Sequence, residues 1–404
     1  MDSMYKADVE KVPKDELAQR MSRFIGQLDI EYANWELCAI IGAPSMFYLT
    51  GTICDGILLI RRGGDGTLWV RRNYDRSILE SEFSDIRPMA SFRDIAGAVG
   101  PLPDTLYLDM AQATLEWYGL LTKYMPFSGV LPVDSAMLRA RAVKSEYELT
   151  RMRIAGSAIN RILTMEFPDL MRAGVSEAAL GADLLASFIK NGHHGVSRFN
   201  MRNTAELLGH IAFGDSPLYP GVFNGASGIA GLCIAVPALG RYNRYLDTGD
   251  LVFVDVCFGV EGYNVDKTLV YSYGHNPPEY ISAAHQHCLE LQRLAASLLR
   301  TGKKPSDIYV EVIDSVLPEY RDRFMGVPGR TVPFIGHSVG LYVDETPVLA
   351  KGFDAPLERG MTIAIEPKMG FEGVGMVGAE NTYLVTDEGG VSLTGEQKDI
   401  ILVE

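Results

Sequence analysis

Four acidic side chains interrupt apolar, strand-like runs in the second half of this 404-residue chain. Asp255 closes the run Leu251-Val252-Phe253-Val254, and Asp266 lies beyond a turn bracketed by Gly259 and Gly262. Glu366 follows Thr362-Ile363-Ala364-Ile365, and Glu380 opens Asn381-Thr382-Tyr383-Leu384-Val385. Burying a charge without a partner is costly, so such runs pack only if something positive meets the acids. His337, in Phe334-Ile335-Gly336-His337-Ser338-Val339-Gly340, is a fifth polar interruption, and its flanking glycines let backbone and ligand approach closely. Two divalent cations neutralise four carboxylates. Carboxylates with one imidazole suit Mn²⁺, Co²⁺, Zn²⁺ or Fe²⁺ without choosing among them. Two such ions side by side can clamp a hydroxide and make it a nucleophile at neutral pH.

The rest of the chain narrows the setting. Its net charge is −14, which excludes a nucleic-acid partner that needs a basic surface and disfavours an anionic membrane. No run of apolar residues is long enough to span a bilayer, and the charged start Met1-Asp2-Ser3-Met4-Tyr5-Lys6 does not read as a signal peptide. Five cysteines (Cys38, Cys54, Cys233, Cys257, Cys288) follow no paired spacing, and they read as reduced thiols of a cytoplasmic protein.

Two domains are expected, at 1–142 and 143–404, with the border in the charged stretch Arg139 to Ser145. Leu37-Cys38-Ala39-Ile40-Ile41, Ile57-Leu58-Leu59-Ile60, Thr67-Leu68-Trp69-Val70 and Thr105-Leu106-Tyr107-Leu108 read as strands of a small α/β domain with a mixed sheet. Beyond it, Tyr147, Met152, Ala155, Ile159 and Ile162 fall near one face of a helix. A second helix runs from a Ser176 cap to Lys190, with Gly192 as its stop, and a third follows Pro277-Pro278 to about Gly302. The strand-rich remainder implies helices packed on a mostly antiparallel sheet, an α+β class.

The order Asp, Asp, His, Glu, Glu resembles the pita-bread metallopeptidase family, which includes prolidase, aminopeptidase P, methionine aminopeptidase and creatinase. Spacings of eleven from Asp255 to Asp266, twenty-nine from His337 to Glu366 and fourteen from Glu366 to Glu380 are most similar to prolidase. Arg141-Ala142-Val143-Lys144-Ser145-Glu146-Tyr147-Glu148-Leu149 resembles the start of that family's catalytic domain, and Ser45-Met46-Phe47-Tyr48-Leu49-Thr50-Gly51 its creatinase-type N-terminal domain. The resemblance implies a pita-bread catalytic domain and a homodimer. It implies Asp255 on one metal ion, His337 and Glu366 on the other, and Asp266 and Glu380 bridging the two. It implies a bridging hydroxide that attacks the carbonyl of a short peptide, with proline after the scissile bond as in an Xaa-Pro dipeptidase or aminopeptidase, and Glu366 shuttling the proton.

The chain also departs from that pattern. Proline-directed members carry a histidine seven residues after the ligand histidine; here Gly340-Leu341-Tyr342-Val343-Asp344-Glu345-Thr346-Pro347 places Asp344 there. The loop Gly231-Leu232-Cys233-Ile234-Ala235-Val236-Pro237 lacks a second histidine that members carry. Beside dications Asp344 should stay ionised and accept protons, whereas amide cleavage wants a donor near the oxyanion. Asp344 is therefore a candidate substrate-binding or basic residue. Cys257, Lys267-Thr268-Leu269 and Gly378-Ala379 are smaller departures.

The alternative is a non-peptidase of the same fold, a lyase or an amide or amidino hydrolase acting on a small metabolite with Asp344 as base. A metal-free enzyme of the creatinase kind and a non-enzymatic binding module are further readings, and retention of all five ligand types argues against the last. His210 could replace a lost histidine or be structural. His285 and His287, two apart on a helix, read as surface residues, and His193-His194 as positive charges at a helix end. Tyr263 and Asn264 could line the pocket or simply pack.

Overall fold

The computed structural model describes residues 10–201, 204–396 and 398–404. The chain divides into two compact units, Met1–Arg141 and Ala142–Glu404. No helix among the described residues is long and apolar enough to cross a membrane.

In the first unit the four expected strands form as Leu37–Ile40, Asp55–Arg61, Thr67–Arg72 and Thr105–Leu108. Two short strands, Ile86–Pro88 and Gly129–Pro132, complete a six-stranded sheet. Their few residues carry no alternation that sequence could reveal. The sheet is mixed: Leu37–Ile40 pairs antiparallel with Asp55–Arg61 and parallel with Thr105–Leu108. Leu37, Ala39, Ile57, Leu59, Trp69, Leu106 and Leu108 make its core with helix residues such as Ile95 and Leu121.

The second unit opens with the helix Glu146–Arg161. Its start is a capping box: Ser145 Oγ accepts from the Glu148 N–H, and Glu148 Oε2 accepts from the Ser145 N–H. Leu149, Met152, Ala155 and Ile159 form its buried stripe. The helix Glu177–Lys190 begins on Ser176, whose Oγ accepts from the Ala179 N–H at 3.2 Å. The helix Glu279–Leu298 follows the two prolines.

These helices accompany a large sheet that is antiparallel except for its Ile401–Val403 strand. Its main path runs Glu345–Ala350, Phe334–Ser338, Thr362–Ile365, Glu380–Val385, Tyr263–Tyr273, Leu251–Val260, Gly209–Phe213. A smaller sheet contains Lys368–Phe371 and Gly375–Gly378. The hairpin at the centre of the large sheet turns on Glu261 and Gly262, both at positive φ (49° and 94°). That geometry matches the right-handed twist of the strands it joins and fixes their register.

Candidate metal centre

Register decides which side chains meet. In the central hairpin Asp255 pairs with Thr268 and Cys257 with Asp266. Paired residues share a face and alternate residues return to it, so Asp255 and Asp266 lie on one face. Asp255 stands inside its strand and does not end it. On one side Asp255 pairs with His210, and on the other Thr268 pairs with Glu380. Thr382 pairs with Ala364, and Ala364 with His337. The same alternation carries Glu380, His337 and Glu366 to that face. All five expected residues, with His210 and Asp344, line one cavity of about 500 Å³.

The acids are held in place from behind. Gln292 Nε2 donates to the carbonyls of Ile365 (2.7 Å) and Ala379 (3.2 Å), the residues preceding Glu366 and Glu380. The Asp266 N–H donates to Thr382 Oγ1 at 2.8 Å. The Thr268 hydroxyl lies 2.7 Å from Asp255 Oδ1 and 3.1 Å from Glu380 Oε2, and donates to one at a time. Ser227 Oγ donates to Asp255 Oδ2 at 2.9 Å.

Sequence reading missed the cation at the centre. The Lys368 ammonium donates to Asp255 Oδ2 (2.9 Å), Glu366 Oε2 (3.0 Å) and Glu380 Oε2 (2.8 Å). Its side chain is 2% exposed. The balance of four acids by two dications therefore overlooked a protein charge. The signal was present as Glu366-Pro367-Lys368, a base two residues from an acid inside a buried segment. Burial raises and Lys368 lowers the Asp255 carboxyl, and the lysine wins, holding it well below its usual range. Burial and the charge of Asp255 push Asp266 up to about 7. Burial and Asp266 together raise Glu380 well above its usual range. Burial opposes the charge on Lys368, but Asp255, Glu366 and Glu380 outweigh it and keep the ammonium protonated.

The opposite side of the cluster has a different character. Asp266, His337 and Glu380 each offer a ligand atom, and these atoms lie within 4.8 Å of one another. His337 Nδ1 faces the Ser338 carbonyl at 3.3 Å and is assigned the proton on that ground. Nε2 faces Glu366 Oε1 (3.5 Å) and Glu380 Oε1 (3.9 Å). Glu380 Oε1 is buried with no hydrogen-bond partner. An imidazole anchored by a carbonyl, beside carboxylates of which Glu380 Oε1 has no donor, fits a divalent ion. Donor atoms for one ion are thus present here, whereas the oxygens on the Asp255 side are already bonded to Lys368.

The other expected residues fall variously. Asp344 lines the cavity from the bend before Glu345–Ala350 and accepts from the Asn200 N–H. Burial raises its carboxyl, and the Asn200 bond and His337 act against that rise; the lowering expected beside dications is not what the protein groups alone produce. His210 also lines the cavity, with Nε2 3.2 Å from Glu206 Oε1. Burial opposes its charge, but Glu206 and then Asp255 raise its pKa above the usual value. Cys257 lines the cavity as a buried thiol raised by burial and Asp266.

Tyr263 and Asn264 do not line it; Asn264 Nδ2 instead donates to the Gly340 carbonyl at 3.0 Å. His285 and His287 are both buried, not on the surface, because the helix bearing them is covered on more than one side. The Gly378 N–H donates to His285 Nδ1, and the Leu317 N–H to His287 Nε2. His193 is no charged cap either: Gly259 N–H donates to its Nδ1, Leu207 O faces its Nε2, and burial lowers its pKa.

Fold and site together define a metallopeptidase-type catalytic unit. Residues 150–387 match metallopeptidase family M24, and the chain belongs to that family. It is 30% identical over 279 residues to the probable dipeptidase PepE of Mycobacterium bovis, a match covering 68% of this chain and 65% of that protein. The chain thus spans just under two thirds of that relative's length. It is 28% identical over 159 residues to the Xaa-Pro dipeptidase of Pyrococcus furiosus, covering 39% of this chain and 44% of that one. Among solved structures, the dipeptidase PepE of Mycobacterium ulcerans superposes with a TM-score of 0.78 at 22% identity, covering 98% of this chain and all of that one. The prolidase of Pyrococcus horikoshii does so with a TM-score of 0.78 at 21% identity, covering 95% of this chain and all of that one. These likenesses establish the pita-bread fold with a separate N-terminal domain.

Proposed function

We propose that the protein is a metal-dependent hydrolase of short peptides, with Xaa-Pro dipeptides the first substrates to test. The observation that carries this reading is the convergence of Asp255, Asp266, His337, Glu366 and Glu380 on one face, at one cavity. A cavity of about 500 Å³ lies within the usual range for small-molecule sites. Phe199, Phe223, Val343 and Val348 give it an apolar wall for a side chain or a pyrrolidine ring.

Asp266, His337, Glu366 and Glu380 are the residues that would hold an ion, which when bound supplies Lewis acidity beside a substrate carbonyl. Glu366, with Oε1 toward His337 and Oε2 on the lysine, would take and return a proton. His210, whose pKa Glu206 raises against burial, would donate to a developing oxyanion in place of the missing histidines. Asp344, in the cavity wall, would accept a substrate amine. The relatives named dipeptidase and Xaa-Pro dipeptidase support this class of substrate.

A second reading is a non-peptidase of the same fold that uses Asp344 as base. It is favoured by the position of Asp344 in the cavity wall, where burial raises its carboxyl. Family resemblance further supports a homodimer, which light scattering on the purified protein tests, and five free cysteines support a cytoplasmic setting. The deciding experiment is proline release from Ala-Pro and Gly-Pro, alongside proline-free dipeptides, with Mn²⁺ or Co²⁺ present. Cleavage of any dipeptide supports the hydrolase; metal-loaded protein that leaves every dipeptide intact overturns it.

A further inference from the structure

The four carboxylates divide their oxygens between two directions. Asp255 Oδ2, Glu366 Oε2 and Glu380 Oε2 all accept from the Lys368 ammonium, between 2.8 and 3.0 Å. Glu366 Oε1 and Glu380 Oε1 turn the other way, toward His337 Nε2, and join Asp266 there. The lysine is built in. Pro367 precedes it, and its own carbonyl accepts from the Met325 N–H at 2.8 Å. Its stem runs past Gly378, where a Cβ would stand 2.7 Å from Lys368 Cα and 3.1 Å from its Cγ. Its ammonium lies 5.9 Å from the centre of the Phe253 ring. An ion on the three oxygens it holds would need metal–oxygen bonds of about 2.0–2.2 Å, and would face a second positive charge at contact distance.

We propose that this cluster is built for one divalent ion, held by Asp266, His337, Glu366 and Glu380, and that the Lys368 ammonium is a covalently tethered cation standing where a second ion would bind. The proposal rests on the reading of this cluster as a metal-dependent hydrolytic site. In it, Lys368 is a positioning residue. It fixes one oxygen each of Glu366 and Glu380 so that their other oxygens face the ion, and it compensates Asp255 without metal. Asp255, a metal-holding residue in the family pattern, here serves the lysine.

The test is metal stoichiometry of the full chain, saturated with MnCl₂, freed of excess by dialysis and measured by inductively coupled plasma mass spectrometry. One manganese per chain is expected; two, or none, overturns the proposal. Asp255→Asn should keep one manganese per chain, and His337→Ala should hold none; loss of the ion in Asp255→Asn also overturns it. Lys368→Ala, checked for folding by circular dichroism, should take up a second manganese, and a folded variant that still holds one contradicts the displacement. These counts use no substrate. One ion and no peptide cleavage would sink the hydrolase reading alone, and two ions with cleavage would sink this inference alone.

Discussion

Two lysines are buried on opposite faces of the same sheet region, and their surroundings give them opposite fates. Lys368 meets three carboxylates, which hold its charge in place against burial. Lys267 follows Asp266 on its strand, so its side chain leaves on the face away from the cavity. There it meets only neutral acceptors, Asn381 Oδ1 at 2.6 Å and the Thr394 carbonyl at 2.9 Å. Burial, with a smaller push from Lys398, lowers its pKa to about 7. Both side chains are almost wholly enclosed. Burial alone therefore does not decide whether a base is a lasting cation; the charge facing it does. His193 and His285, whose ring nitrogens face backbone groups, follow Lys267, and burial pushes them toward the neutral form.

The contrast is open to direct attack. Replacing Lys368 by Met strands three buried carboxylates, and breaking such a pair costs about 3–5 kcal/mol. In metal-free protein, Tm by calorimetry should fall by roughly 6–20 °C. Glu366→Gln removes the proposed proton carrier and should lower kcat/KM on a cleaved dipeptide by about 10²–10⁴-fold. Its circular dichroism should stay unchanged. Lys267→Met leaves only neutral acceptors unpaired, for about 1–3 kcal/mol. If Lys267→Met costs as much as Lys368→Met, the distinction between the two faces fails.

The smallest effect is the pH dependence of the neutral bases. Burial holds His193 and His285 below their usual 6.5 in the folded state, so the unfolded chain takes up protons first as pH falls. The stability these rings contribute is present above pH 6.5 and is lost as pH drops below it. The part of Tm that these rings carry should shrink from about pH 7 to about pH 4.5, read as the difference between the unaltered protein and His285→Asn, which should lose less over that range. An unchanged slope in that variant would show that His285 carries a proton in the fold.

Much of the site was legible because charge in an apolar strand is conspicuous. Asp255, Asp266, His337, Glu366 and Glu380 each break a run that would otherwise be continuous, and strand alternation sends them to one face. Lys368 was not legible for a physical reason. It begins a strand of the smaller sheet after Pro367, and a four-carbon stem can carry its charge back to a neighbouring sheet or out to water with the same sequence. His285 and His287 misled because two helix positions facing different sides suggest exposure only when one side is open. The short strands Ile86–Pro88 and Gly129–Pro132 exist by pairing, not by any pattern of their own.

The most direct test is anomalous X-ray scattering at the manganese edge from crystals soaked in MnCl₂. A single peak among Asp266, His337, Glu366 and Glu380, with the Lys368 ammonium still on Asp255, is the predicted result. Two peaks, with Lys368 turned away from the carboxylates, would contradict it.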